Sequence, residues 1–304
     1  MSWILVGLGS AAVTALVSIS DKTVIHRYAR SPMTLPLLIG FAQTSVGIFV
    51  LGLTGFPDNV TLTGSLYALL SGIFFGFSGV VSQRVLFSQE VSRTIPVTQA
   101  SPIFAALLSM VALGESISLV QWTGIMATVV GSAAISFGMR GGGTRIFGSR
   151  YFYILMFSAL LFGIANVVGK AALNELPVLY THGLRMLALG LVFLSTNLRP
   201  EPWEDVKGYF LQRSPALAVV AVNEFITANI GLLLLLWALS LGPVSLVTAV
   251  ASSRALFVVI YSIALATMWR GALGEQISAR IVAIKVISAG LIVGGIVVIG
   301  RSVS

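Results

Sequence analysis

Along most of the chain, polar residues are spaced too widely to face water. Ten apolar runs, about residues 2–20, 33–53, 64–83, 95–113, 119–138, 151–170, 178–197, 216–238, 244–268 and 279–300, are separated by short stretches rich in Gly, Pro and charged residues. Each run is near the ~20 residues a helix needs to cross the ~30 Å hydrocarbon layer at ~1.5 Å per residue. Strict alternation of apolar and polar positions, the mark of a membrane barrel, is missing, so helices are the spanning form that keeps the backbone amides bonded. The pattern predicts an all-α integral membrane protein with ten transmembrane helices.

The pattern is also written twice. Val97-Thr98-Gln99-Ala100-Ser101-Pro102 aligns with Val247-Thr248-Ala249-Val250-Ala251-Ser252, and Ala112-Leu113-Gly114-Glu115 with Ala272-Leu273-Gly274-Glu275. Each copy is followed by a last apolar run holding several glycines. Residues 140–150, glycine-rich and basic, read as a linker between two five-helix repeats, 1–139 and 151–304. Five is odd, so two similar halves enter the membrane from opposite sides, and the expected architecture is an inverted repeat around a central cavity. Gly72, Gly76 and Gly79, and Gly290 and Gly294, lie at three- or four-residue spacings that let helices approach closely.

Composition agrees: 57% of residues are hydrophobic and 9% charged, with a mean hydropathy of +0.98, too little polar surface for a soluble globule. The net charge of +8 does not signal nucleic acid here, because the cations sit in short loops where they orient the chain. Thirteen Lys and Arg fall in odd-numbered loops or at the span ends that face them, against Lys170 and Arg301 on the even-numbered side. By the positive-inside rule the odd loops are expected to be cytoplasmic and both termini outside. Met1-Ser2-Trp3 puts no cation ahead of the first apolar run, so no removable signal peptide is expected. With no Cys and only His26 and His182, neither a metal site nor a cofactor is expected. The loop 199–215 carries Trp203, Tyr209 and Phe210, residues suited to the headgroup layer.

Three cations fall inside apolar runs: Arg185, Arg254 and Lys285. Each costs roughly 2.5–3.5 kcal/mol at a helix centre unless it finds a partner, water or a route outward. Glu224, the acidic residue well inside a run, lies at the same depth as Lys285, so these two are expected to pair. Arg185 and Arg254 enter from the opposite face without a carboxylate, and two such guanidiniums make an anion site, since the Arg fork matches carboxylate or phosphate. The competing reading has Arg185 snorkelling outward beside His182 and Arg254 bonding exposed carbonyls. Gln43, Gln99, Asn166, Asn223 and Ser253 join the candidate substrate contacts, with Ser78, Ser82 and Ser101 as further polar lining. Pro102 is expected to kink its helix and free a carbonyl.

The twice-written unit, with Pro102, Gly114-Glu115, Trp122 and Gly124 in the first copy and Gly274-Glu275 and Gly290 in the second, resembles the EamA-type transporters of the drug/metabolite transporter superfamily. The resemblance covers essentially the whole chain. It implies alternating access and the export or exchange of a small, amino-acid-like or otherwise anionic metabolite. A bacterial or archaeal cell membrane is the implied location, with lipids and possible proton coupling through Glu224, no nucleic acid, and the oligomeric state open. Glu115 and Glu275, at span ends, read as caps or loop anchors. In the second copy Ser252-Ser253-Arg254 stands where the first has Pro102, which makes the ninth run the place for specificity. Two other readings stay open: an intramembrane enzyme acting on a lipid-linked substrate, and efflux of hydrophobic drugs.

Overall fold

The computed structural model describes residues 2–28, 31–57, 60–88, 97–137, 149–268 and 279–302. In chain order the helices are α1 (Ser2–Arg27), α2 (Thr34–Thr54), α3 (Leu62–Ser88), α4 (Ser101–Ala112), α5 (Leu119–Phe137), α6 (Arg150–Leu173), α7 (Val178–Asn197), α8 (Pro200–Leu211), α9 (Pro215–Leu241), α10 (Val244–Ala251), α11 (Arg254–Met268) and α12 (Ala279–Arg301). No strand occurs among the described residues. Eight stretches are long and apolar enough to cross a membrane, with Val244–Tyr261 counted across α10 and α11; Ser101–Ala112 and Leu119–Ala134 are shorter apolar helices. An integral membrane protein follows. The linker 140–148 and the second Gly274-Glu275 pair lie outside the described residues.

Three elements depart from simple rods. The fourth run, expected as one helix, turns at Gln99–Ala100 before α4, and the ninth turns at Ser252–Ser253 between α10 and α11. Pro102 therefore does not kink a helix. It occupies the first turn of α4, where its missing amide hydrogen would have had no intrahelical acceptor. In α9 the segment Ala221–Thr227 winds as π-helix, a wider turn that recurs at functional sites.

Helix ends follow local chemistry. Gly114 adopts φ +68, open to glycine without penalty, and lets Glu115 N donate back to Ser109 O at 3.2 Å. The turned chain aims the Glu115 carboxylate at the start of α10, where it accepts from Val244 N at 2.6 Å, Ser245 N at 3.2 Å and Ser245 Oγ at 2.7 Å. On the other side of that corner Lys170 Nζ donates to Leu239 O at 2.6 Å and Gly242 O at 3.3 Å. An anion at a helix start and a cation at a helix end each complement the backbone dipole. The expectation that Glu115 anchors a span end holds.

Glycine fixes how the halves meet. A Cβ added at Gly40 would meet Leu194 N at 2.9 Å, one at Gly47 would meet Leu187 N at 2.5 Å, and one at Gly190 would strike Thr44 N. Residue numbers rise on α2 as they fall on α7, so these helices run antiparallel in close contact. Gly124 and Gly131 of α5 likewise meet Gly295 and Ser288 of α12. Gly72, Gly76 and Gly79 lie against Arg185, Val192 and Phe193 of α7, as their spacing predicts, but Gly290 and Gly294 have nothing within 4 Å. Gly295, one residue on, makes the close approach of α12. Further pairs are α3 with α6 and α1 with α9.

The amphipathic α8 buries Val206 and Tyr209, while Trp203 packs on Phe41 of α2 with ring centroids 5.9 Å apart. Thr34 Oγ1 donates to Asp205 Oδ2 at 2.7 Å, tying α8 to the start of α2.

Candidate functional site

A cavity of about 330 Å³ lies between α1, α3, α4, α6, α9 and the α10–α11 break. Its polar wall comes from one face of α1 (Ser10, Thr14, Ser18, Asp21), from Ser78, Ser82 and Gln83 of α3, and from Ser158 and Asn166 of α6. Gln99, Ser101, Ser252 and Arg254 enter at the two helix breaks, and Phe75, Phe162 and Phe193 supply apolar wall. The lining occupies the parts of α1, α3 and α6 that lead to odd-numbered loops. Beyond the cavity, toward the even-numbered loops, an apolar cluster around Trp3, Ala106, Val167, Leu239 and Val247 fills the space.

The two breaks touch. Gln99 Nε2 donates to Ser252 O at 3.1 Å and Ser132 Oγ donates to the same oxygen at 2.9 Å. An interrupted helix leaves backbone groups to be met by side chains or ligand, and here Ser252 O, at a turn made without proline, takes these two side chains beside a long 3.4 Å bond from Ala255 N. On the opposite wall Ser78 Oγ donates to Ser158 O at 2.8 Å, and the Ser82 and Ser158 hydroxyls are 2.6 Å apart, locking α3 to α6.

Of the candidates read from sequence, Arg254, Gln99 and Asn166 line the cavity. Arg254 is half-buried, faces Asp21 electrostatically, and makes no hydrogen bond among the described residues. Among the described residues it bonds no carbonyl. Arg185 is not in the lining. At 1% exposure it stands one layer behind, its Nη2 donating to Asn166 Oδ1 at 3.2 Å and its guanidinium lying 4.8 Å from the Phe75 ring centre. Outward snorkelling beside His182 is excluded too, because His182 Nε2 is itself buried 3.2 Å from Asn229 Oδ1. Ser253 is fully buried next to the break rather than in the wall.

Gln43 and Asn223 sit with Glu224 in a group beside the cavity. The expected Glu224–Lys285 pair is not made. Glu224 instead meets Asp21, Asn223 and Gln43, because α1 continues past residue 20 and brings Asp21 to α9. Lys285 is half-buried on α12, which packs chiefly against α5. Asp21 was hidden from a span count that ended at the first charge. The signal was nonetheless present: Ser10, Thr14, Ser18 and Asp21 recur at helical spacing along one face.

Residues 1–137 match the sequence profile of the EamA-like transporter family. The match spans just under half of the chain. A solved crystal structure, described only as that of a protein, superposes on 98% of this chain and 95% of its own with a TM-score of 0.68 at 18% identity. It shows a shared fold running through both halves. No curated protein matches the chain at a significant level. The matched residues supply the serine face of α1, the α3 wall and the Gln99 break; Arg254 comes from beyond them.

Proposed function

We propose that the chain is a secondary transporter that exports or exchanges a small organic anion by alternating access. Two oppositely inserted five-helix repeats, 1–139 and 151–304 joined by 140–150, would enclose the cavity. The observation that carries the reading is Arg254, a guanidinium lodged at a helix break and turned into a polar cavity with no hydrogen bond among the described residues. A desolvated fork of donors without an acceptor favours carboxylate or phosphate. Gln99 and Asn166 are the neutral contacts, and Arg185 positions Asn166 from behind. A volume of about 330 Å³ is at the small end for ligand pockets, which favours a metabolite over a bulky drug.

The inverted repeat draws support from packing. If the halves are related by exchanging first with sixth run, second with seventh and so on, α2 against α7 and α5 against α12 are pairs of equivalents, and such pairs run antiparallel in an inverted repeat. The α3–α6 and α1–α9 pairs map onto one another under the same exchange. A cell membrane with the odd-numbered loops in the cytoplasm completes the reading.

The test is uptake into liposomes holding the purified protein, using radiolabelled amino acids, sugar phosphates and a hydrophobic cation. Anions should be accepted, and Arg254→Gln should cut their uptake at least tenfold, as loss of a charged hydrogen bond of about 1.5–3 kcal/mol requires, with the fold intact by circular dichroism. Preference for the cation, or full uptake by Arg254→Gln, overturns the reading.

A further inference from the structure

Asp21 and Glu224 come from helices at opposite ends of the sequence, yet their carboxyl groups lie side by side, close enough for one Asn223 amide to reach both. Two carboxyl groups held this close in a membrane interior repel when both are ionised, and a proton shared between them removes that cost. Asn223 Nδ2 joins them from the side, donating to Asp21 Oδ1 at 2.8 Å and Glu224 Oε1 at 2.7 Å. Gln83 of α3 also bonds Asp21. The surroundings hold surplus acceptors: Gln43 Oε1 and Asn223 Oδ1 are buried, and no donor among the described residues reaches them. Buried acceptors without donors are costly, so this is a place built to attract a proton or a cation.

The backbone is shaped to the same end. In the π segment the Glu224 carbonyl takes the Asn229 side-chain amide at 2.7 Å and Gln43 Nε2 at 3.2 Å, which fixes the turn and holds Asn223 and Glu224 inward. Among the described residues, few charged and titratable groups face the pair. Arg254 of α11 acts on Asp21, and His182 of α7 reaches the segment only through Asn229; α2 and α3 contribute the neutral Gln43 and Gln83. Asp21 also lines the cavity, so a proton has a way out.

We propose that Asp21 and Glu224 form a proton-binding dyad that keeps one proton and exchanges a second, with Arg254 as the counter-charge at which an anion in the cavity binds. The second clause rests on the transport reading above; the first does not. The proton sits on one carboxyl oxygen and is donated to the other. As an anion reaches Arg254 a second proton binds the remaining carboxylate; its release breaks that second O–H bond, passes the proton to cavity water and leaves one proton shared by the pair. With one proton the dyad and Arg254 sum to zero charge. A monovalent anion at Arg254 leaves a deficit that a second proton cancels, so anion and proton are taken up together.

Infrared spectroscopy of the protein in phosphatidylcholine vesicles tests the dyad without any transported substrate. At neutral pH a protonated-carboxyl C=O stretch should be present and should shift in D₂O. Selective ¹³C labelling of aspartate or glutamate carboxyls in the unaltered protein should displace it, and the double variant Asp21→Asn/Glu224→Gln should lose it. Because the labelling needs no substitution, misfolding of the variant cannot mask the answer. Absence of the band at neutral pH overturns the proposal. So does its loss on adding sodium chloride but not choline chloride, which would make the site a cation site. If the band is absent while anion uptake persists, the dyad alone falls; if the band stands and uptake fails, the anion reading falls.

Discussion

Single side chains here do work that their position in a hydropathy profile does not reveal. Glu115 and Arg254 were legible because a charge beside or inside an apolar run demands a partner, and the structure supplies a helix start for one and a cavity for the other. Asp21 was not, since a span drawn by hydropathy ends where a charge begins, whereas helix α1 runs on to Arg27. Arg185 was found but placed one layer too far forward, because depth in a helix says nothing about which neighbour a side chain meets. The Glu115 contacts make a separate prediction. Its carboxylate takes three donors at the start of α10, so Glu115→Gln, which keeps the shape and removes the charge, should destabilise the fold by about 1 kcal/mol. The expected readout is a lower thermal unfolding temperature in detergent, with the loss reduced at high salt, where charge–dipole attraction is screened.

At the scale of helices, the bilayer makes the sequence readable, since any spanning segment must satisfy its own backbone and so declares itself by length and apolarity. All ten runs contain helix in the described residues, and the amphipathic α8 sits in the loop whose aromatics marked it. The breaks at Gln99–Ala100 and Ser252–Ser253 and the π turn of α9 were not legible: short Ala, Ser and Gln stretches are compatible with helix, and tertiary contacts decide where it stops. Pro102 pointed near the first break but for the wrong reason, as a helix start. Glycine spacing located helix faces only within a residue, as Gly290, Gly294 and Gly295 show. The α2–α7 contact gives a controlled experiment. Gly190→Leu forces a side chain into the Thr44 backbone, whereas Gly52→Leu meets nothing within 4 Å. The first should lower stability by about 1–3 kcal/mol or more, in line with overpacking, and reduce folded yield on size-exclusion chromatography; the second should leave both unchanged.

For the whole molecule, the polar cavity lies on one side of the breaks and the apolar cluster on the other, which in the proposed transport cycle is a state sealed toward the even-numbered loops. Since the chain has no cysteine, single cysteines can report access without background. Gln83→Cys, in the cavity wall, should react with an impermeant thiol reagent only from the side holding the odd-numbered loops, while Ala106→Cys, in the seal, should be protected until anion is supplied. Coupling is the property that tests both halves together. With the dyad carrying one proton in the empty cavity and two in the loaded one, Arg254 and a monovalent anion leave the site neutral in both conditions, so the translocated unit carries no net charge. Acidifying the outside of the liposomes should then drive the accepted anion inward, and alkalinising it should drive the anion out. One pH unit is worth ~1.4 kcal/mol, enough for about tenfold accumulation. A potential set with potassium and valinomycin should have no effect on that accumulation. In Asp21→Asn/Glu224→Gln the anion should still equilibrate, but no longer concentrate against its gradient. Accumulation driven by an alkaline exterior would mean that anion and proton cross in opposite directions, and the neutral-cavity argument would be wrong in sign.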